Sequence, residues 1–452
     1  MVNVVNFDRF FFAFSIGSHV LLVTLTIALA FFISVVEFLG IRKRDQDYEI
    51  LARRMSKALI IIFAIGTASG TMIAIELFAL FPKFMDVVGQ VAILPFYVEV
   101  FAFFLESIAL VMYFYFWDRF KNRYTHWVLS LFVTIGTTLS AIFITMINSW
   151  MNTPNGFNLA AFKTSGVLSN INPFAVFNTI STWSEEFHVV TTTFAAGSFA
   201  ILAYFLLKIL KSDGKFIPML KKGAVVAAST AAASIILAGL SGTLTASMLI
   251  TVQPLKYAAI ELNLFKTSTS APEMIGGILI NGIPKFYITI PHLQNLLAFP
   301  LTLGKGTVPG LYEFNPSTWP PLFIHLTFDV MVLGGTLIGL FMFFLILFLI
   351  LRKNPLERKF FIYGGVIAGI LAELVYDSGW VTDEVGRQPW IIYNEMTVTQ
   401  AANTSPSIIP LGIGIMIFYI VVIPFSIYYI ARVMRFDEVP ESPKGVDKSV
   451  VH

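Results

Sequence analysis

Residues Tyr97 to Phe116 read YVEVFAFFLESIALVMYFYF. The run is long enough to cross a bilayer as a helix, which needs about 20 apolar residues. It carries two acids, Glu99 and Glu106, among Phe, Leu and Val. A carboxylate at membrane depth costs several kcal/mol by most scales, so it marks a functional site by default. Seven residues make about two helical turns, which puts both acids on one face. That face must meet something polar: a proton path, a cofactor edge, an ion, or hydrogen-bonding groups of neighbouring helices.

Working outward, the chain repeats this character. Of its 452 residues 56% are hydrophobic and 13% charged, where soluble domains carry about 25% charged residues. The expected fold class is an all-α integral membrane protein. Nine apolar runs reach span length, near 11–40, 58–82, 94–116, 127–149, 187–210, 223–251, 321–351, 360–382 and 407–431. The first lacks a basic flank and a cleavage site, so it reads as a span and not as a signal peptide. There is no cysteine, which excludes disulfides, thiolate metal sites, iron–sulfur clusters and thioether-linked heme. A net charge of +3 gives no case for nucleic acid.

The basic residues alternate. Arg42 to Lys57, Arg119 to Arg123, Lys208 to Lys222, Arg352 to Lys359, and the tail with Arg432, Arg435, Lys444 and Lys448 hold most of the 30 Lys and Arg. Cytoplasmic loops carry such an excess, so the N-terminus is expected outside and the C-terminus in the cytoplasm. The chain then divides into spans one to six (1–251), an outer loop rich in Pro, Gly, Thr and Asn (252–320), spans seven to nine (321–436) and a cytoplasmic tail (437–452).

On this topology the buried ionisable residues are one-sided. His19, Glu76, Glu99, Glu106, His188, His325, Asp329, Met331, Glu373 and Asp377 fall in the outer half of six helices, while the inner half has little beyond Glu37 and Asp118 at helix ends. His and Met on separate apolar helices are the ligands of heme iron, although a lone His on such a helix is more often simply hydrogen-bonded and most methionines only pack.

Several motifs resemble, in order across all nine spans, the large heme-bearing subunit of the cytochrome bd-type quinol oxidases: FAFFLES (101–107) with WDR (117–119), GRQPW (386–390), NSWMNTP (148–154), the Arg9 to His19 spacing, GTMIAIE (70–76) and QPLKYAAIE (253–261). The resemblance implies a terminal oxidase of a prokaryotic plasma membrane that oxidises quinol at the outer face and reduces dioxygen to water. It takes protons from the cytoplasm without pumping them. It implies His188 and Met331 as ligands of a low-spin heme b, and His19 as ligand of one of two high-spin hemes, a second heme b and a heme d. Glu99 and Glu106 stand beside that pair, Lys256 and Glu261 in the quinol loop, and Arg387 near the hemes. It also implies a second membrane subunit of similar size, to which a small single-span subunit can be added.

Four features depart from the family pattern. The two glutamates of the third span are seven apart and not eight; FAFFLES is intact around Glu106, which makes it the better match. Asp329 replaces an Arg two residues before Met331, beside the expected heme b propionates. Asp377 aligns with a family Glu that holds the other high-spin heme, and Glu373, one turn earlier, is the alternative ligand. The quinol loop is of the shorter kind. These mark a divergent branch in which a b heme can take the place of heme d. Two other functions fit the residues alone: a heme-bearing, quinol-linked reductase of another small molecule, and an ion transporter without heme.

Overall fold

The computed structural model describes residues 4–433 except 213, 215 and 216. The expected cytoplasmic tail 437–452, with Lys215, Arg435, Lys444 and Lys448, lies outside the described residues. Among the described residues nine helices are long and apolar enough to cross a membrane. They are α1 (Val4–Lys43), α2 (Gln46–Leu80), α4 (Leu94–Tyr115), α5 (Arg123–Asn152), α7 (Thr182–Lys211), α8 (Ile217–Val252), α11 (Ile324–Ile350), α12 (Lys359–Gly386) and α14 (Ile408–Val433). Short helices α3 (Pro82–Val91), α6 (Leu159–Ser165), α9 (Pro254–Ile260), α10 (Leu293–Ala298) and α13 (Val398–Ala401) lie in the connections.

Several helices outrun the bilayer. At 1.5 Å per residue α1 is about 60 Å long, against a hydrocarbon core of about 30 Å. Its start and end therefore stand in the aqueous or headgroup zone, where local caps matter. The Asp45 carboxylate accepts from Asp47 N–H at 3.0 Å and opens α2; Asn122 does the same for α5 through Tyr124 N–H at 2.9 Å. Lys222 then ties α8 to the α2 start through Asp45 at 2.5 Å and Asp47 at 2.7 Å.

Two helices form the centre. In α1 and α7 67% of the apolar window is buried, against 22–44% in the other seven. Without a hydrophobic drive between helices in lipid, close backbone approach has to supply the packing. Gly197 of α7 supplies it here: a Cβ there would lie 2.5 Å from Ala28 Cβ and collide with the Thr24 carbonyl of α1. Gly369 lets α12 sit on Ala203 and on the Phe199 carbonyl of α7 in the same way. The outer helices turn residues such as Phe101, Phe104, Phe343 and Ile370 outward, toward where lipid would lie.

The 252–320 connection is ordered and adds β-structure that the all-α expectation lacks. Strands β1 (Glu273–Ile280) and β2 (Ile283–Ile290) form an antiparallel hairpin with Glu273 opposite Ile290 and Gly276 opposite Tyr287. Its turn is Asn281–Gly282, both with positive φ, the residue pair such two-residue turns select. A second small hairpin joins β3 (Trp390–Ile392) and β4 (Met396–Thr397). The loop packs on the helix ends through Tyr257, Ala259, Ile260, Val308 and Leu311, which are buried with Leu249 and Ile324. Most of β2, by contrast, is exposed.

Adding side-chain volume at the α1–α7 contact should be costly, since overpacking a close-packed site costs roughly 1–3 kcal/mol. We expect Gly197→Val to lower the thermal midpoint of the detergent-solubilised protein. Gly239→Val, whose Cβ meets nothing within 4 Å, should leave the midpoint near wild type. Equal midpoints for the two variants would contradict this packing.

Candidate functional site

His19 and His188 sit on the two central helices in matching environments. His19 Nδ1 is 2.7 Å from Ser69 Oγ, and His188 Nδ1 is 3.0 Å from Ser241 Oγ. Each serine precedes a glycine, and each glycine lies against the ring: a Cβ on Gly70 would be 3.3 Å from His19 Cε1, and one on Gly242 would be 3.4 Å from His188 Cε1. The same Ser-Gly-Thr triplet, 69–71 and 241–243, therefore serves both histidines. Ser69 Oγ donates to the Gly66 carbonyl at 2.8 Å and Ser241 Oγ to the Ala238 carbonyl at 3.0 Å. Each serine oxygen is thereby left to accept from the imidazole. The Nδ1–H tautomer follows, with Nε2 as the free lone pair, the arrangement of a metal-ligating histidine. Met331 lies beside a third glycine, Gly379, whose added Cβ would be 3.1 Å from the sulfur. Imidazole, imidazole and thioether, each flanked by bare backbone, are a donor set that suits flat iron macrocycles.

Three of the acids meet hydroxyls of neighbouring helices. Glu99 accepts from Ser140 Oγ at 2.7 Å. Glu106 is buried, and Gly136 is the reason it fits, since a Cβ there would come within 2.6 Å of Glu106 Cβ. Both acids thus face α5, as their spacing requires. Glu76 accepts from Ser15 at 2.9 Å. Glu373 accepts from Thr24 at 3.1 Å through one oxygen, while its other oxygen and Asp377 Oδ1 are buried with no partner. Tyr376, between them in sequence, bonds Thr193 instead, at 2.7 Å.

A second network lies where α5, α7, α9 and α12 meet. Arg387 is fully buried and donates to Asn148 at 2.7 Å, Asn152 at 2.9 Å and Glu384 at 2.5 Å. Asn148 and Asn152 also donate to Asp383, and Asn152 to Glu185. Lys256 crosses Gly386 to reach Asp383. Two buried cations thus face three carboxylates, of which Asp383 and Glu384 are partly exposed, and each cation depends on its partners. Sequence reading singled out Lys256, Arg387 and the NSWMNTP motif and missed Glu185, Asp383 and Glu384, which stand at helix ends and gain meaning only when four helices converge. It also missed Glu186, which accepts from Thr145 at 2.5 Å.

Lys256 and Glu261 do not pair, and neither is on the surface: they are 2% and 7% exposed. Glu261 turns away from α12, toward Glu273 at the start of the hairpin. Each of the two has a buried oxygen with no donor. Burial first, then Glu273 and Asp329, drives the Glu261 carboxyl well above its usual range. Burial and then Asp329 lift Glu273 from 4.5 to about 7. Asp329, expected beside a heme propionate, accepts from Gly276 N–H of the loop at 2.6 Å.

The inner half is less empty than the sequence suggested. Glu37 and His126 are fully buried and 2.5 Å apart, and His126 Nε2 is 2.9 Å from the Tyr113 carbonyl. The pair is walled by Tyr113 and Trp117.

The profile of the family described as cytochrome bd terminal oxidase subunit I matches residues 7–438. A Bacillus subtilis (strain 168) relative named "Putative cytochrome bd menaquinol oxidase subunit I" is 31% identical over 88% of this chain and 89% of its own. The cytochrome bd ubiquinol oxidase subunit 1 of the same organism is 27% identical over 98% and 94%. The bd oxidase structure from Geobacillus thermodenitrificans superposes with a TM-score of 0.90 at 32% identity, covering 96% of this chain and 99% of that one.

The Glu273 shift has a definite sign. A carboxyl raised on folding adds stability that is complete below its unfolded value, near 4.5, and is lost as pH climbs through about 7. Glu273→Gln should therefore flatten the fall of the thermal midpoint between about pH 5 and about pH 8. An unchanged pH profile would show that Glu273 is not held in this way.

Proposed function

The chain belongs to the cytochrome bd terminal oxidase subunit I family, and from that premise we propose how its own residues serve quinol oxidation and oxygen reduction. As a subunit I it is part of a heme-bearing quinol oxidase of a prokaryotic plasma membrane and works with a subunit II partner. The ion-transporter alternative falls with that membership.

The observation that carries the reading is the pair of histidines with Nδ1 bound to serine, Nε2 open and a glycine under the ring. We assign His188 and Met331 to a low-spin heme b and His19 to a high-spin heme. Asp377 or Glu373 is assigned to the third heme, since both keep a buried oxygen free. The high-spin pair is a second heme b with a heme d, or with a b heme in place of heme d. Such hemes, when bound, carry electrons from quinol and reduce dioxygen to water.

The protein's own part is to place charge and protons. Two groups flank the quinol head group: Lys256, oriented by Asp383, and Glu261, next to Glu273. With its carboxyl lifted by burial, Glu261 can accept a hydroxyl proton as quinol is oxidised. Arg387, held by two asparagines and Glu384, supplies positive charge for heme carboxylates without moving.

Protons for oxygen reduction arrive along α4 and α5. Glu106 against Gly136, then Glu99 with Ser140, form the last steps toward His19. Ser107 bonds the Phe103 carbonyl of its own helix and Thr145 bonds Glu186, whereas Ser140 bonds Glu99 and joins the path. With the basic loops in the cytoplasm these steps lie toward the outer face, and uptake from within moves charge across most of the bilayer. That stores about 2.3 kcal/mol per proton at 100 mV without a pump.

Glu106→Gln should slow oxygen consumption roughly 10²-fold, the scale of a lost proton-transfer group, while quinol still reduces heme b in stopped flow. Full turnover would remove Glu106 from the path. His188→Leu should abolish the low-spin heme b absorption band; an intact band would refute the ligand assignment.

A further inference from the structure

His325 is fully buried at the first turn of α11. Its Nδ1 is 2.7 Å from the Ile260 carbonyl, and its Nε2 is 2.7 Å from the Gly276 carbonyl. Carbonyl oxygens only accept, so the ring is the donor at this joint. The Asp329 carboxylate, one turn on, stands 3.7 Å from Nε2 and accepts the Gly276 N–H at 2.6 Å. Two side chains of α11 thus hold both polar groups of one hairpin residue. Gly276 has φ +74°, and a Cβ there would lie 2.8 Å from the Phe286 carbonyl.

The joint links two segments. Ile260 immediately precedes Glu261, and Gly276 follows Glu273 by three residues on β1. Nothing else on α11 hydrogen-bonds the hairpin among the described residues, and most of β2 is exposed. The acids at this joint are Asp329 on the same helix and, bearing on Asp329 from the loop, Glu261 and Glu273. The same geometry explains why an Asp stands at 329: it completes a clamp on the loop.

We propose that His325 is a positioning residue of the quinol site: with Asp329 it clamps Gly276 and Ile260 so that the hairpin delivers Glu273 to Glu261. This rests on the reading of Glu261 as a quinol-site residue. His325 touches neither quinol nor heme and acts only through the loop.

The test uses the purified enzyme with its partner subunit and two electron donors. One is a short-chain quinol. The other is ascorbate-reduced tetramethyl-p-phenylenediamine, a small donor that does not require the loop. Loss of a buried hydrogen bond at the joint should raise the quinol KM about tenfold or more. We expect this for His325→Ala and, without touching a membrane helix, for Gly276→Ala. Oxygen consumption with the phenylenediamine and the reduced heme spectrum should stay at wild-type level. If His325→Ala fails to assemble heme, Gly276→Ala decides. An unchanged quinol KM in Gly276→Ala, or an equal loss with both donors, overturns the proposal. Glu261→Gln run alongside separates the two readings. If it raises the quinol KM while Gly276→Ala does not, the clamp fails and the quinol site stands; if neither does, the quinol-site reading itself fails.

Discussion

The constraint on which this structure depends is the fixing of two imidazoles by two serine hydroxyls inside an apolar bundle. Ser69 and Ser241 each spend their proton on their own helix and accept from a histidine on a neighbouring one. That sets the tautomer, aims Nε2 at the interior and orients each ring against the glycine that follows the serine. The close α1–α7 contact at Gly197 keeps the two histidine-bearing helices together. A side chain larger than hydrogen at positions 70, 242 or 379 would press on a ring or on the Met331 sulfur. The donors and the room beside them are therefore specified by the same short segments.

Around that centre the ionisable groups fall into networks with different tasks. Glu99 and Glu106 face α5 and keep close to hydroxyl and backbone. Arg387, Lys256, Asp383, Glu384 and Glu185 form a rigid charged block in which each cation has a carboxylate at contact distance. Glu261, Glu273, Asp329 and His325 form a third group, which joins the outer loop to α11. Lys256 and Glu261 are five residues apart on one short helix, yet they belong to different networks. The quinol site we propose is thus bracketed by two supports, one from α12 and one from the loop's own hairpin.

Much of this was legible in the sequence. The nine spans follow from hydropathy alone, and the helices differ from the expected runs mainly by extending beyond the apolar segment. The Glu99–Glu106 face followed from a spacing of seven, and the resemblance located His19, His188 and Met331. What escaped depended on distance along the chain. His126 and Glu37 are 89 residues apart, and neither position hints at the other. Asp383 and Glu384 read as a helix end until α5 and α9 are packed against it. Asp329 reads as a reversed charge, and its backbone partner, Gly276, lies 53 residues away in the outer loop. The Asn281–Gly282 turn was available as a hairpin signal between two apolar stretches, but the prolines around it pointed to irregular structure. The Ser-Gly-Thr triplets were also in plain view, and only helix packing shows that each meets a histidine.

The central claim, that the two serine-bound histidines and Met331 hold heme iron, is tested most directly by the reduced-minus-oxidised optical spectrum of the purified protein with a count of extracted heme. The account predicts a low-spin b-type band together with high-spin heme signals, whether the extracted pigment is all heme b or includes heme d. A protein that assembles with its partner subunit yet is colourless, or that lacks the low-spin component, would contradict it.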